Sequence, residues 1–238
     1  MRPELSIVVP VFDEAENVEL LASKILAAVG NHPGGMELIL VDDCSRDATW
    51  KTIQSESNKD SRVIGVRHKE NGGQSAALWT GFKKASGVII GTLDGDLQND
   101  PADLPMMIRE LSDCDMVCGV RTRRADSFVK IASSRIARWA RRIALRSTFL
   151  DTGCNLRVFR REVLETIPPF NGFHRFMPIL AENGGAVVHE IPVRHHPRSF
   201  GVSKYGVWNR LGRGIRDLIM VGLFIRRQLK LMEPREPR

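Results

Sequence analysis

The hydrophobic positions in the first half of this chain alternate between two kinds of pattern. Short apolar runs rich in β-branched residues predict buried strands, and between them apolar residues recur at helical spacing. The strand patterns lie at 5–11, 37–42, 62–67, 87–93 and 115–120, and the helical patterns at 14–29, 46–57, 73–86 and 101–112. Strands that alternate with helices of this length predict parallel βαβ units and an α/β fold. Ser45 precedes the second helix, and Asp100 with Pro101 is typical of the start of the fourth.

The pattern changes after Arg121. Residues 127–147 contain no Pro, Gly or acidic residue and predict a helix with one apolar and one basic face. The basic face carries Arg135, Arg138, Arg142 and Arg146. A helix of this kind is typical of a membrane surface, although the pattern alone slightly favours a core helix with a solvated charged face.

The end of the chain predicts one more strand and one more helix. The strand lies at 185–193, a polar basic loop follows up to Lys204, and the helix covers 207–231. From Leu218 to Ile225 this helix is apolar on every side. Because that segment is too short to span a bilayer, it is expected either to pack in a core or to dip into lipid.

The net charge of the 238-residue chain, +7, hides a division between its halves. Residues 1–118 carry 11 Lys/Arg and 19 Asp/Glu, a net of −8, whereas residues 119–238 carry 24 and 9, a net of +15. A basic second half indicates polyanionic partners, namely nucleic acid, an anionic membrane or phosphorylated substrates.

The cysteines and the apolar runs of the sequence indicate the cellular location of the protein. The four cysteines form no C-x-x-C pair, so zinc is not expected and reduced thiols in a cytosolic protein are the simplest interpretation. We expect no signal peptide, because Glu4 interrupts the first apolar run, and no membrane span. The expected location is therefore cytoplasmic.

Acidic residues follow three of the predicted strands. Asp94-Gly95-Asp96 ends the run at 88–93, Asp42-Asp43 ends the run at 37–41, and Asp13-Glu14 follows the first strand. The carboxyl ends of strands in an open α/β sheet form the edge where ligands bind. The carboxylates of Asp94 and Asp96 suit Mg²⁺ or Mn²⁺ bound together with a diphosphate, and a solvated Asp-Gly-Asp turn is the alternative when these residues are taken alone. The sequence has no glycine-rich loop of the kind that holds phosphates. A metal ion is therefore more necessary for binding a diphosphate.

Four segments carry a resemblance to a known family. They are VVPVFDE at 8–14, VDDCS at 41–45, NGGQ at 71–74 and DGDLQ at 94–98. In this order and spacing they resemble the motif series of family 2 inverting glycosyltransferases with the GT-A fold, most closely the branch that makes dolichyl- or undecaprenyl-phosphate sugars. The resemblance spans about residues 4–206. It implies a mixed, mostly parallel central sheet flanked by helices, with C-terminal helices on a membrane surface.

The resemblance implies residues for the donor and its metal ion. Asp94, Asp96 and Gln98 match the ligands of Mg²⁺ or Mn²⁺, and Asp96 is expected to be essential for catalysis. The residues that match the nucleotide-sugar site are Pro10, Val11, Glu14, Asp42, Gln74, Asp94, Arg198 and Lys204. Among them, Arg198 and Lys204 match a basic loop that closes on the diphosphate in related enzymes.

The resemblance also implies how the acceptor is held. Arg121, Ser134 and Arg135 match the residues that bind the acceptor phosphate, and both arginines are expected to be catalytic. A lipid phosphate monoester, with a second pKa near ~6, needs positive charge rather than a general base. The segment from Asp151 to Arg157 resembles the family's Asp-x-x-Ser-Gly-Phe-Arg, from which Cys154 and Asn155 depart.

Together these features predict metal-dependent transfer of one sugar from a nucleotide-diphosphate sugar to a polyprenyl phosphate. The expected domains are 1–206, divided into a nucleotide half (1–120) and an acceptor half (121–206), and a C-terminal helix at 207–238. The enzyme is expected to bind an anionic membrane peripherally on the cytosolic face and not to bind nucleic acid. A homo-oligomer or a membrane-protein partner is left open.

Three alternatives remain at this stage. The same fold could use a hydroxyl acceptor, in which case Asp151 or another acid should be essential as a base. A non-enzymatic nucleic-acid- or anion-binding protein would fit the basic half. Only 6% of residues are aromatic, however, and the acidic strand ends would repel a phosphate backbone. A degenerate binding module is the third alternative, against which the intact Asp94–Gln98 segment argues.

Overall fold

The computed structural model describes residues 2–121, 142–145, 147–197 and 207–227, with side chains from residue 216 onward in the last segment. The chain forms two compact units. The first comprises residues 1–127 and 149–203 and contains the central sheet, and the second comprises residues 128–148 and 204–238.

The described fold contains seven strands, six helices and a further helical segment at residues 142–145. The strands are β1 (Leu5–Val11), β2 (Met36–Asp42), β3 (Val63–Arg67), β4 (Ile89–Thr92), β5 (Met116–Arg121), β6 (Arg157–Arg160) and β7 (Val188–Val193). The helices are α1 (Ala15–Val29), α2 (Thr49–Lys59), α3 (Gln74–Lys84), α4 (Leu104–Glu110), α5 (Met177–Asn183) and α6 (Val207–Arg227). Short 3₁₀ turns lie at Pro101–Asp103, Arg161–Thr166 and Phe173–Arg175.

The strands form one sheet in the order β3-β2-β1-β4-β6-β5-β7. Strands β1 to β4 pair in parallel, and β5 pairs in parallel with β7, whereas β6 is antiparallel to both of its neighbours. The expected mixed, mostly parallel sheet is therefore confirmed. Because β6 runs in the opposite direction, its first residue lies at the edge where the other strands end.

The core forms where apolar helix faces meet the apolar strands. In α1 the buried side chains Val18, Leu21, Ala22, Ile25 and Val29 follow helical spacing, and they pack with β1 and β2 residues in the main hydrophobic cluster. The strands β1 and β2 are buried almost throughout, as strands covered on both faces should be.

The predicted start of the second helix was wrong. Helix α2 begins at Thr49 rather than at residue 46, and Ser45 does not cap it. The Ser45 backbone N–H donates to Asp42 (3.0 Å), and the Ser45 hydroxyl accepts from the Asp13 backbone N–H (2.9 Å). These bonds hold Ser45 in the loop after β2. By contrast, Asp100 does cap the turn that precedes α4, accepting from the Ala102 backbone N–H at 3.0 Å.

The pattern analysis missed β6 and α5. Strand β6 has only four residues, Arg157-Val158-Phe159-Arg160, with an arginine at each end. Its Arg157 is nevertheless among the largest fully buried side chains. A strand this short with charged ends has no distinctive apolar pattern.

Within the second unit, α6 has one covered and one exposed face. Val221 and Gly222 are buried, and a Cβ at Gly222 would lie 3.4 Å from Leu145 Cδ2 in the helical segment 142–145. No helix among the described residues is both long and apolar enough to cross a membrane. The rest of the basic helix predicted at 127–147 lies outside the described residues, except Ser147.

Candidate functional site

The carboxyl ends of β1, β2 and β4 bring the three acidic segments to one edge of the sheet, as the sequence predicted. Each strand is followed by a non-glycine residue in the left-handed region, Asp13 (φ 50°), Cys44 (φ 63°) and Leu97 (φ 60°). Such backbone is uncommon outside glycine and tends to cluster at functional sites. Three instances at one edge mark this edge as the candidate site.

The loops after β1 and β2 hold each other in place. The Asp13 carboxylate accepts from the Arg46 backbone N–H (2.8 Å), and the Glu14 backbone N–H donates to the Thr49 hydroxyl (2.8 Å). The Glu14 side chain accepts from Asn17. Val11, the last residue of β1, is buried and pairs in register with Asp42. Pro10, Val11 and Glu14 therefore lie at this edge, and their nucleotide contacts stay predictions.

Asp42 is fully buried beneath Arg67. The Arg67 Nε lies 3.1 Å from Asp42 Oδ2, and Arg67 also donates to the Ser45 backbone carbonyl at 3.1 Å. The resemblance implies that Asp42 contacts the nucleotide sugar, and in this structure its Oδ2 faces Arg67 Nε. The contact with the nucleotide sugar stays a prediction.

Asp43 organises the loop before α3. Its carboxylate accepts from the backbone N–H groups of Gly72 (2.8 Å) and Gly73 (2.7 Å), and it lies 2.8 Å from His68 Nδ1. Gly73 has φ +83°, so a side chain there would be strained. The sequence analysis counted Asp43 only among the acidic residues at strand ends, and it gave His68 no role. In the structure they fix the turn that delivers Gln74.

Asp94 is held between two side-chain amides. Gln74 Nε2 donates to Asp94 Oδ1 (2.8 Å), and Asn155 Nδ2 donates to both carboxylate oxygens (2.9 and 3.2 Å). Burial and then the nearby Asp96 raise the pKa of Asp94 to about 6, against the opposing effect of Asn155. The structure thus brings together Gln74 and Asp94, two residues predicted for the same site, and adds Asn155.

Asp96 and Gln98 follow Asp94 in the chain and belong to the same predicted metal site. Asp96 is buried and accepts from the Gln98 backbone N–H at 3.2 Å, and the Gln98 amide donates to the His196 carbonyl at 3.4 Å. No cluster of three or more His, Cys, Asp or Glu side chains suited to a metal occurs within the described part of the chain. Asp94 and Asp96 fit Mg²⁺ or Mn²⁺, which needs only one or two protein carboxylates when phosphates and water complete its shell.

Arg121 pairs with Asp151 across the edge. Its Nε and Nη2 donate to the two Asp151 oxygens at 2.7 and 2.8 Å, a bidentate geometry. Burial alone would lower the pKa of Arg121, but the Asp151 carboxylate outweighs it and raises this pKa. Glu190 in turn accepts from the backbone N–H groups of Leu150 and Asp151. The loop that carries Asp151 is therefore anchored to β7.

A buried network ties β6 to the start of α3. The Arg157 guanidinium donates to the carbonyls of Thr152 (2.8 Å) and His174, and His174 Nδ1 lies 2.9 Å from the Ser75 hydroxyl. Burial, followed by the charges of Arg175 and Arg157, lowers the pKa of His174 to about 3. The sequence analysis gave His174 no role. The only signal for this network was Arg157 in the imperfect Asp151–Arg157 match.

Four predicted site residues, Ser134, Arg135, Arg198 and Lys204, lie outside the described residues. The segment before Arg198 is described up to residue 197. In this segment the His196 backbone N–H donates to the Gln98 carbonyl at 2.8 Å. The chain therefore enters the predicted basic loop beside Gln98. The roles of all four residues stay predictions.

Residues 6–168 match glycosyl transferase family 2. A dodecaprenyl-phosphate galacturonate synthase from Rhizobium johnstonii is 38% identical over 231 residues, 94% of this chain and 68% of the relative. An undecaprenyl-phosphate 4-deoxy-4-formamido-L-arabinose transferase from Yersinia pestis is 36% identical over 218 residues, 91% of this chain and 66% of the relative. The chain thus spans about two-thirds of the length of these relatives.

Solved structures share the fold. A Mycobacterium tuberculosis glucosyl-3-phosphoglycerate synthase, in complex with Mn²⁺, UDP and glucosyl-3-phosphoglycerate, matches with a TM-score of 0.66 at 19% identity, over 94% of this chain and 80% of that one. The mannosyltransferase PcManGT from Pyrobaculum calidifontis, in complex with GDP-Man and Mn²⁺, matches with a TM-score of 0.61 at 19% identity, over 95% and 71%. These matches confirm the expected GT-A fold.

Proposed function

The chain belongs to glycosyl transferase family 2, and from that premise we propose that it transfers one sugar from a nucleotide-diphosphate sugar to a polyprenyl phosphate. The observation that carries the proposal is a single sheet edge with the Asp94–Asp96 pair on one strand end and Arg121 on another. The two relatives described above, which are named for transfer to dodecaprenyl and undecaprenyl phosphate, support the lipid acceptor.

On the donor side, Asp94, Asp96 and Gln98 would hold Mg²⁺ or Mn²⁺. When bound, the ion would neutralise charge that develops on the leaving diphosphate. Pro10, Val11, Glu14 and Asp42 would then bind the nucleoside. Arg198 and Lys204 would close on the diphosphate, a role that rests on the resemblance.

On the acceptor side, Arg121 would hold the lipid phosphate. A phosphate monoester with a second pKa near ~6 is largely dianionic at neutral pH and attacks without a general base. Arg121 is already paired with Asp151, so the phosphate would have to share or replace this carboxylate. Ser134 and Arg135 would complete the phosphate site, again on the resemblance.

The proposed chemistry is a single displacement with inversion. A phosphate oxygen of the acceptor bonds to the anomeric carbon from the face opposite the diphosphate, and the bond from that carbon to the diphosphate oxygen breaks. The electron pair leaves with the nucleoside diphosphate. The protein's task is to align the two anionic groups, which preorganised charges on a rigid sheet edge can do.

We propose that α6 contacts the cytosolic face of an anionic membrane. Its exposed face carries Ile219 (59% exposed), Met220 (62%), Leu223 (54%) and Phe224 (41%). Arg226 and Arg227 are exposed at the end of the same helix. An apolar face bordered by arginines is typical of helices that lie in the interface of a membrane. The sequence analysis expected the whole apolar segment from Leu218 to Ile225 to be able to dip into lipid. The proposed membrane contact is limited to the exposed face, because Leu218, Val221, Gly222 and Ile225 are covered or partly covered.

The proposal is tested by incubating the protein with UDP- and GDP-sugars, with and without undecaprenyl phosphate. Release of nucleoside diphosphate and the mass of the lipid product are measured, with and without excess chelator. We expect release to depend on both the lipid phosphate and a divalent ion, and the lipid to gain one sugar. Full activity in chelator would exclude the metal role, and no sugar on the lipid with any donor would contradict the acceptor.

A further inference from the structure

Asn155 stands where the resembled Asp-x-x-Ser-Gly-Phe-Arg segment has glycine. Its backbone is fixed at the sheet edge, because its carbonyl accepts from the Thr92 hydroxyl at the end of β4 (2.7 Å). The side chain, which a glycine would lack, reaches the Asp94 carboxylate. The residue that departs from the family pattern therefore contacts Asp94, in the candidate donor site, through its side-chain amide.

The chemistry of the contact fixes the orientation of the amide. An ionised carboxylate can only accept hydrogen bonds, so Asn155 must present its NH₂ group to Asp94 and turn its carbonyl oxygen elsewhere. The same holds for Gln74 on the other side of this carboxylate. We call these three residues, Gln74, Asp94 and Asn155, the amide clamp.

The amide clamp leaves two acceptors unused. No side chain or backbone group among the described residues donates a hydrogen bond to Asn155 Oδ1 or to Gln74 Oε1. Asn155 is half-buried, so part of its side chain is open to solvent. A carbonyl oxygen fixed beside a carboxylate is suited to accept from a hydroxyl or N–H group of a bound molecule.

We propose that Asn155 is a specificity-determining residue that accepts a hydrogen bond from a hydroxyl or N–H group of the donor sugar. The inference rests on the proposed function in one respect, namely that the ligand at this edge is a nucleotide sugar. A site that hydrogen-bonds a substrate hydroxyl discriminates against analogues that lack it or place it differently. Glycine at this position would remove both the acceptor and one of the two amides that orient Asp94.

The test measures binding separately from turnover. Isothermal titration calorimetry measures nucleotide affinities for the unaltered protein and for the variants Asn155→Gly and Asn155→Ala. The ligands are UDP, UDP-glucose, UDP-galactose, UDP-N-acetylglucosamine, UDP-galacturonate and GDP-mannose. The matched control is Asn183→Ala, because Asn183 lies on α5 and, within the described part of the chain, its side chain donates only to the Ile179 carbonyl of its own helix (3.1 Å). Two variants are used so that a folding defect in one does not decide the result.

We expect the sugar that binds best to the unaltered protein to lose about tenfold in affinity in both Asn155 variants, the effect of one lost hydrogen bond. The affinity for UDP should not change, and the discrimination between epimers should shrink. The control variant should behave like the unaltered protein.

Other results would overturn the inference. An equal loss for every sugar would show that Asn155 only orients Asp94, and an equal loss for UDP would show a role in nucleotide binding or folding. Unchanged discrimination would also contradict it, as would failure of the unaltered protein to bind any sugar nucleotide more tightly than UDP. If sugars bind with Asn155-dependent discrimination but no lipid product forms, the inference stands and the proposed lipid acceptor fails.

Discussion

The acidic and basic parts of the candidate site are held by different kinds of partner. Asp94 accepts from the neutral amides of Gln74 and Asn155, whereas Arg121 is paired with the carboxylate of Asp151. Neutral donors position a charge without cancelling it, while an ion pair cancels most of it.

This difference teaches how each part would meet its ligand. Among the described residues no cation bonds to the Asp94 carboxylate, and a carboxylate held only by amides suits a cation that arrives with the donor. Arg121 must exchange or share a partner before it binds a phosphate. We therefore expect substitutions on the acidic side to remove activity, and those on the basic side to change how well one substrate is used.

The strongest effect is expected for Asp96→Asn. The substitution keeps the shape of the side chain but removes a charge from the proposed metal site, where electrostatic stabilisation is worth several kcal/mol. Transfer should fall by at least about a hundredfold, measured as nucleoside diphosphate release. Far-UV circular dichroism and thermal unfolding should match the unaltered protein. Retention of more than about a tenth of the activity would place the metal site elsewhere.

Arg121→Ala should mainly weaken use of the lipid phosphate. Loss of a charge-assisted hydrogen bond costs roughly 1.5–3 kcal/mol, which is about tenfold to over a hundredfold in kcat/KM for the lipid. The affinity for nucleoside diphosphate, measured by titration calorimetry, should stay near normal. Loss of nucleotide binding with unchanged use of the lipid would contradict the assignment.

The partner variant Asp151→Asn separates the two acceptor classes. If Asp151 only orients Arg121, the variant should keep measurable transfer, with a loss of about tenfold from the weakened ion pair. If the acceptor is a hydroxyl and Asp151 is its base, activity should fall by roughly 10²–10⁴-fold. Rates with a short-chain polyprenyl phosphate and with the matching polyprenol, each at saturating donor, distinguish the outcomes.

The exposed face of α6 should contribute to membrane binding, and the effect of changing it should be smaller and should persist at high salt. Leu223→Ser removes an exposed apolar side chain, and burial of a leucine contributes about 1.5 kcal/mol or more when complete. Co-sedimentation with anionic liposomes at high salt should weaken by up to about tenfold. The control is Leu20→Ser, an exposed leucine on α1 (44% exposed). Equal behaviour of the two variants would argue against lipid contact by α6.

The smallest effect concerns His174 and the pH dependence of stability. The pKa of His174 is lowered to about 3 in the folded protein, so between about pH 6.5 and 3 the unfolded state binds more protons and acidification favours unfolding. Asp94, with its pKa raised to about 6, acts in the opposite direction as the pH falls below that value.

Between pH 6.5 and 5.5, His174 should contribute a loss of about 1 kcal/mol in the free energy of unfolding. Urea unfolding of the unaltered protein and of His174→Asn at both pH values isolates this contribution from that of Asp94. The variant should lose less stability on acidification. An identical pH dependence in the two proteins would show that His174 does not titrate between the folded and unfolded states.

Local patterns predicted the strand ends and their acids, because a β-branched run followed by Asp-Gly-Asp is visible within about ten residues. The same reasoning placed Asp94 at one edge with the acids that follow β1 and β2, since the carboxyl ends of parallel strands meet there. Gln74 was expected at this edge only from the resemblance. The membership of family 2 and the GT-A fold, expected from four motifs, are confirmed.

The contacts that complete the site could not be predicted in this way. Asn155 meets Asp94 across 61 residues, and Arg121 meets Asp151 across 30, both through the reversed strand β6 and the segment before it. Asp43 accepts from the backbone N–H groups of Gly72 and Gly73, which lie 29 and 30 residues further along the chain. Such pairings join distant parts of the chain, and a pattern found within one strand or helix does not show which distant residues it will meet.

The central claim is that the acceptor is a phosphate monoester, and a direct comparison of two lipids tests it. Undecaprenyl phosphate and undecaprenol, which differ only in the phosphate, are offered in equal amounts in the same detergent with a donor that the protein accepts. We predict that the sugar appears on undecaprenyl phosphate and that undecaprenol remains unmodified, with Arg121→Ala reducing only the former reaction. Sugar transfer to undecaprenol at a comparable rate would contradict the account.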